Sequence, residues 1–170
     1  MTLWVKNSLN FLKARFPNKS EWSSQQPTSS CSNQLFSVVF QRLDNEFLTL
    51  ARQECSLDGS TCLLGLVLNG QVTVANLGDS IATLVRKDGS FEQMNVEHTP
   101  MQSEERGRIE AANGMIINNR INGELSVTRA FGDLELKEYV ISDPECRNHT
   151  LTYEDDLLIL ASDGIYRSYS

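Results

Sequence analysis

The sequence has no Cys-x-x-C pair. Its four cysteines (Cys31, Cys55, Cys62, Cys146) are scattered and histidine occurs twice, as His98 and His149, which leaves no ligand pattern for zinc. There is no Lys/Arg cluster either. Fifteen basic against 22 acidic side chains give a formal net charge of -7, so no basic footprint exists for nucleic acid or for an anionic membrane surface. Met1 to Phe16 has its apolar content broken by Lys6, Lys13 and Arg15, and reads neither as a signal peptide nor as a membrane span. These absences set a reducing compartment, cytoplasm or nucleus, as the expectation. The triplets at Asn18 and Asn148 that match a glycosylation acceptor are then chance matches. What is present, 170 residues that are 40% hydrophobic and 22% charged, fits one soluble globular domain.

Periodicity divides the chain. Val5, Leu9, Leu12 and Phe16 fall at helical spacing, which predicts a helix over 1–16 closed by Pro17-Asn18. Residues 20–33, rich in Ser, Gln and Pro, read as a loop. Phe36, Val39, Phe40, Leu43, Phe47 and Leu50 then repeat with the helical period, predicting a helix over 34–54 whose aromatics belong to the core. From residue 60 the period becomes that of strands. Apolar runs at 61–68, 71–77 and 81–86 are punctuated by Asn69-Gly70 and Asp88-Gly89, the strongest short-range hairpin signals. A helix over 103–112 ends at Asn113-Gly114, short strands are expected at 115–117 and 125–127, and a buried strand at 157–161 follows a polar stretch. Helices followed by antiparallel hairpins and a further helix make an α+β layered fold, with residues 60–170 as its sheet-rich part.

The chemistry sits on carboxylates at glycine turns. Asp163 follows the apolar run Leu158-Ile159-Leu160-Ala161 and precedes Gly164; Asp79 follows Gly78 at the end of another strand; Asp133 follows Gly132. Each alone is an ordinary turn residue, since Asp accepts turn geometry by bonding its own backbone. Three of them suggest an oxygen-rich cluster of the kind that hard cations such as Mg²⁺ and Mn²⁺ take. Cys62, inside an apolar strand, reads as a small buried hydrophobe.

Asp58-Gly59-Ser60-Thr61, Ala75 to Ser80, His98-Thr99-Pro100, Glu105 with Arg108-Ile109, Arg120 to Asp133, Pro144-Glu145 and Leu158 to Gly164 follow one another in a recognisable order. In that order the chain resembles the metal-dependent protein phosphatases of type 2C. The long segment around Arg129 and the Ala-Ser-Asp-Gly ending are the specific part. The resemblance implies a four-layer αββα sandwich: two packed antiparallel sheets flanked by helix pairs, with a metal cleft at one end. It also implies a serine/threonine phosphoprotein phosphatase in which two Mg²⁺ or Mn²⁺ ions hold the attacking water, and a phosphoprotein as substrate. Asp163 matches a principal metal ligand, Asp79 a ligand of a weaker third ion, and Asp133 lies in a motif near the cleft as the weakest candidate. Arg129 is expected to pair with a carboxylate, and His98, in a stretch where Glu97 and Thr99 depart from the family's Asp-His-Lys-Pro, is expected to be structural.

Other departures are larger. The family's Asp-Gly-His-Gly-Gly motif and late Asp-Asn motif are absent, and Arg167 stands where a second Asp often follows Asp163. The expectation is therefore a partial domain over 1–170, truncated at both ends and inactive alone, whose exposed sheets a partner would complete. The alternative is a non-catalytic phosphatase-like binding module. A plain acidic cation-binding domain is the third class, and the ordered motif set argues against it.

Overall fold

The computed structural model of the protein describes residues 2–6, 12–15 and 29–166. Two antiparallel four-stranded sheets organise them. The first has the order β1 (Thr2–Lys6), β4 (Cys62–Leu68), β5 (Gln71–Leu77) and β11 (Glu145–Thr150); the second runs β2 (Leu12–Arg15), β12 (Asp155–Ala161), β6 (Ile81–Arg86) and β7 (Phe91–Gln93). Helix α1 (Ser29–Glu54) lies on the first sheet. Helix α2 (Ser103–Ala111), the short ladders β3 (Gly59–Ser60) with β10 (Phe131–Gly132) and β8 (Ile116–Ile117) with β9 (Arg120–Ile121), and a 3-10 turn at Leu134–Leu136 make up the rest before α3 (Asp163–Tyr166).

Local chemistry sets the hairpins. Asn69 and Gly70 both take positive φ, 49° and 73°, as a two-residue turn matched to strand twist requires, and Leu68 pairs with Gln71 across it. At the end of α2, Asn113 is left-handed at φ 63° and the Gly114 N–H reaches back 2.9 Å to the Ile109 carbonyl, so the helix stops at the residues expected to stop it. Helix α1 ends by the same device with Cys55 at φ 53°.

Strand alternation then builds the core. Leu63, Val72 and Val74 of the first sheet meet Ala82, Leu84, Leu158 and Leu160 of the second, all buried, with Met94 and Leu151 closing the ends. The sheets come so close at Gly65 that a Cβ there would stand 3.2 Å from Leu158 Cδ2. The opposite face of the first sheet, through Leu64, Ala75 and Leu77, receives Phe36 and Phe40 of α1, with Cys62 and Cys146 packed alongside. Ile109, Ile121, Val127, Ala130 and Val140 form a separate small core beneath α2. The α+β sandwich is thus the expected one, and the described residues supply three of its layers. Among them no helix is long and apolar enough to cross a membrane.

Four expectations change. Residues 1–16 do not form a helix in their described parts: Thr2–Lys6 pairs with β4, from Thr2 opposite Val67 to Lys6 opposite Leu63, and Leu12–Arg15 pairs with β12. The apolar edges of β4 and β12 offer rows of unpaired donors and acceptors, and satisfying them outweighs a weak local helical pattern. Of the loop expected over 20–33, residues 29–33 belong to α1 and the remainder lies outside the described residues. Within 125–127 a single bridge, Ile121 to Leu125, replaces the expected strand. The stretch read as merely polar contains β11, held by its pairing with β5 from Glu145 opposite Asn76 to Thr150 opposite Gln71.

Leu158→Ala should cost about 2–5 kcal/mol, because the void would open between two sheets that cannot close further at Gly65. Urea unfolding of the two chains measures it.

Candidate functional site

Strand register brings two of the three candidate carboxylates together. Ala161 pairs with Ile81 as the last pair of β12 and β6, so Asp163 and Asp79, each two residues beyond, leave the same end of the second sheet. Both are half-buried. Asp163 opens α3, with the Ile165 N–H donating to the Ser162 carbonyl at 3.1 Å. Asp133 is held by a different pairing. It follows the β3–β10 ladder in the left-handed region, φ 51°, its N–H bonded to the Asp58 carbonyl at 3.0 Å. Its carboxylate lies over Gly59, where a Cβ would come within 2.1 Å of an oxygen. Burial raises the Asp133 carboxyl, with nearby Lys137 opposing and Asp44 adding to the rise. Among the described residues no group of three His, Cys, Asp or Glu side chains is placed to hold a metal ion. Arg167 lies outside the described residues.

Behind Asp79 stands a buried polar system. Gly78 takes φ +116°, and a Cβ there would strike Thr61 Cγ2 at 2.3 Å, so this position requires glycine. The Gly78 N–H donates to His98 Nδ1 at 3.1 Å, while its carbonyl accepts from the His98 N–H at 2.9 Å and from Asn76 Nδ2 at 3.0 Å. His98 is 3% exposed. Burial, then the charge of Arg129, push its imidazole down to about 4, with Glu105 pulling the other way. The ring is therefore neutral near pH 7 and accepts at Nδ1, leaving the proton on Nε2, 3.9 Å from a Glu145 oxygen.

Glu105, 4% exposed on the inner face of α2, anchors this system. Its Oε1 accepts from Arg129 Nη2 at 2.5 Å and Nε at 3.0 Å; its Oε2 accepts from the Thr128 hydroxyl at 2.7 Å and Arg108 Nη2 at 2.8 Å. Burial alone would raise the carboxyl, but these hydrogen bonds, Arg129 foremost, hold it at about 2. The arginines reach onward, Arg129 Nη1 to the Asp143 carbonyl at 2.9 Å and Arg108 Nη1 to that of Tyr139 at 2.5 Å. His98, Glu104, Glu105, Arg129 and Glu145 line a cavity of about 350 Å³ here. Arg129 thus has its carboxylate, as expected.

A second buried carboxylate, Asp44 on the inner face of α1, accepts from the Gly132 N–H at 2.8 Å and pairs with Lys137 Nζ at 2.8 Å. Neither Glu105 nor Asp44 is singled out by sequence reasoning as a partner. The available signal was position: Glu105 stands four before buried Ile109, and Asp44 between Phe40 and Leu48, each a charge on an apolar face.

A sequence profile of the family described as Protein phosphatase 2C matches residues 9–170. The chain is 39% identical over 138 residues to a probable protein phosphatase 2C 17 of Arabidopsis thaliana, covering 78% of this chain and 48% of the relative. It is 37% identical over 133 residues to a probable protein phosphatase 2C 52 of Oryza sativa, covering 76% and 27%. The chain therefore spans about half the length, or less, of such relatives. Among solved structures it is similar to a C. elegans sex-determining protein, with a TM-score of 0.77, 29% identity and coverage of 86% of this chain and 37% of that one. It is also similar to serine-threonine phosphatase 2C from Toxoplasma gondii, with a TM-score of 0.72, 26% identity and coverage of 86% and 57%.

The His98 shift fixes a pH window. Its folded pKa lies below the 6.5 of the free side chain, so the unfolded chain binds more protons between those values and stability is lost as pH falls from about 6.5 to about 4. His98→Asn should flatten the fall in thermal midpoint over that interval; Glu105, depressed to about 2, acts mainly below it. Thermal melts of both chains from pH 7 to pH 4 check the slope.

Proposed function

The chain belongs to the protein phosphatase 2C family, and from that premise we propose that it carries the central part of a serine/threonine phosphoprotein phosphatase, with Asp163 and Asp79 as site carboxylates. The observation that carries the reading is the register: the pairing of Ala161 with Ile81 sends both aspartates out of one sheet end. The reaction is hydrolysis of a phosphoserine or phosphothreonine ester, in which water attacks phosphorus, the bond to the side-chain oxygen breaks, and that oxygen leaves with a proton. The substrate is a phosphoprotein, met in the cytoplasm or nucleus.

Mg²⁺ or Mn²⁺ suits such oxygen donors by hardness. Two carboxylates do not make a two-ion centre, so the described residues do not fit the ion pair that the family's chemistry uses, and no step is assigned to it. The second reading is a non-catalytic phosphatase-like module that binds phosphoprotein without turnover.

The 170-residue chain alone is expected to show no Mn²⁺-dependent hydrolysis of a phosphothreonine peptide above a metal-free blank. Turnover that Asp163→Ala abolishes would overturn this, by showing that the carboxylates present complete a site. In a chimera whose remaining length comes from one of the plant relatives, hydrolysis should appear. Asp163→Ala should then lose on the order of a thousandfold in rate and Asp79→Ala markedly less. Equal, mild losses would reassign both residues, and a well-folded chimera without turnover would favour the binding module.

A further inference from the structure

Asp79 is a single residue on a turn, and a carboxylate acts at a defined place when the backbone beneath it is fixed. Here the fixing is unusually complete. Gly78 is held at its N–H by the His98 ring and at its carbonyl by the His98 N–H and the Asn76 amide. No other side chain described engages that N–H, and Gly78 takes a positive φ that its lack of a Cβ permits.

His98 is itself held from the other side. Its carbonyl accepts the Thr128 N–H at 2.9 Å, and the Thr128 hydroxyl ends on Glu105, which the two arginines clamp. The Arg129 carbonyl closes the loop, standing 3.4 Å from where a Cβ on Gly78 would be. A continuous path of hydrogen bonds therefore runs from the carbonyls of Tyr139 and Asp143, through Arg108, Arg129 and Glu105, to Thr128, His98 and the turn that carries Asp79.

We infer that His98 is a positioning residue that sets the Asp79 carboxylate through the Gly78 peptide, with the Glu105–Arg129 pair as the anchor from which it works. Its bearing on hydrolysis rests on the reading of Asp79 as a site carboxylate; its bearing on the turn does not. An imidazole serves because one ring nitrogen accepts from the turn while the ring fills the buried space. Asparagine can place an amide oxygen where Nδ1 stands, and phenylalanine fills similar space with no acceptor.

Amide hydrogen exchange of the ¹⁵N-labelled 170-residue chain, read by NMR at Gly78 and at Val74 in the buried centre of β5, tests the first part. His98→Phe should speed exchange at Gly78 by about tenfold or more and leave Val74 within about twofold, while His98→Asn keeps Gly78 within about threefold of the parent. Thr128→Val, which leaves the His98 ring in place but removes a Glu105 partner, should also speed Gly78 selectively, and it carries the test where His98→Phe fails to fold. Gly78 and Val74 speeding together, or Gly78 unchanged without its acceptor, would overturn the inference. The second part is a double-mutant cycle in the chimera: His98→Phe should add no more than about twofold to the loss already caused by Asp79→Ala. Fully multiplied losses would show that His98 does not act through Asp79. A chimera without turnover would remove the phosphatase reading while leaving the exchange result to decide the positioning role.

Discussion

The buried carboxylate of Glu105 is the constraint on which the arrangement of the site end depends. A charge taken out of water is costly unless every lone pair is met, and here four donors from Thr128, Arg108 and Arg129 meet the two oxygens. Removing one partner would strand a charge among apolar neighbours, so helix α2, the segment through Thr128 and Arg129, and the Tyr139–Asp143 stretch hold one mutual geometry. The apolar cluster of Ile109, Ile121, Val127, Ala130 and Val140 supplies cohesion beneath, without fixing where its parts point. Direction comes from the hydrogen bonds.

Asp44 does at α1 what Glu105 does at α2. Both put an acid on the inner face of a helix and use it to catch an excursion that returns over the sandwich, Asp44 through Gly132 and Lys137. The two sheets need no such device, because alternating side chains interlock across them. Rigid sheets thus deliver Asp163 and Asp79 by register, and charged pairs adjust the loops that surround them.

How much of this was legible in the sequence follows from how local each cause is. The hairpin at Asn69-Gly70 and the end of α2 at Asn113-Gly114 depend on residues a few positions apart, and they appear where the sequence puts them. Strand β1 depends on Val67 and its neighbours, far along the chain, and a helical spacing of four apolar residues gave no hint of that partner. Strand β11 was hidden for the same reason, since Glu145-Cys146-Arg147-Asn148-His149-Thr150 has little apolar content of its own and exists through its pairing with β5. At the candidate site, motif picks out Asp163 and Asp79 as the proposed carboxylates, and Arg129 as the partner of some carboxylate. That the carboxylate is Glu105, and that His98 reaches the Gly78 backbone, are facts of burial, which one chain of letters does not record.

Packing also sorts the thiols. Cys62 and Cys146 lie against the α1 core, and burial pushes both up to about 11, with Asp143 and Glu145 adding to the rise at Cys146; near neutral pH they are protonated and poorly nucleophilic. Cys55, on the left-handed residue that closes α1, is exposed. Of the three cysteines whose side chains are described, a maleimide or a mild oxidant would therefore meet Cys55 first. A fluorophore or spin label placed there would report from the end of the long helix while leaving the sandwich untouched.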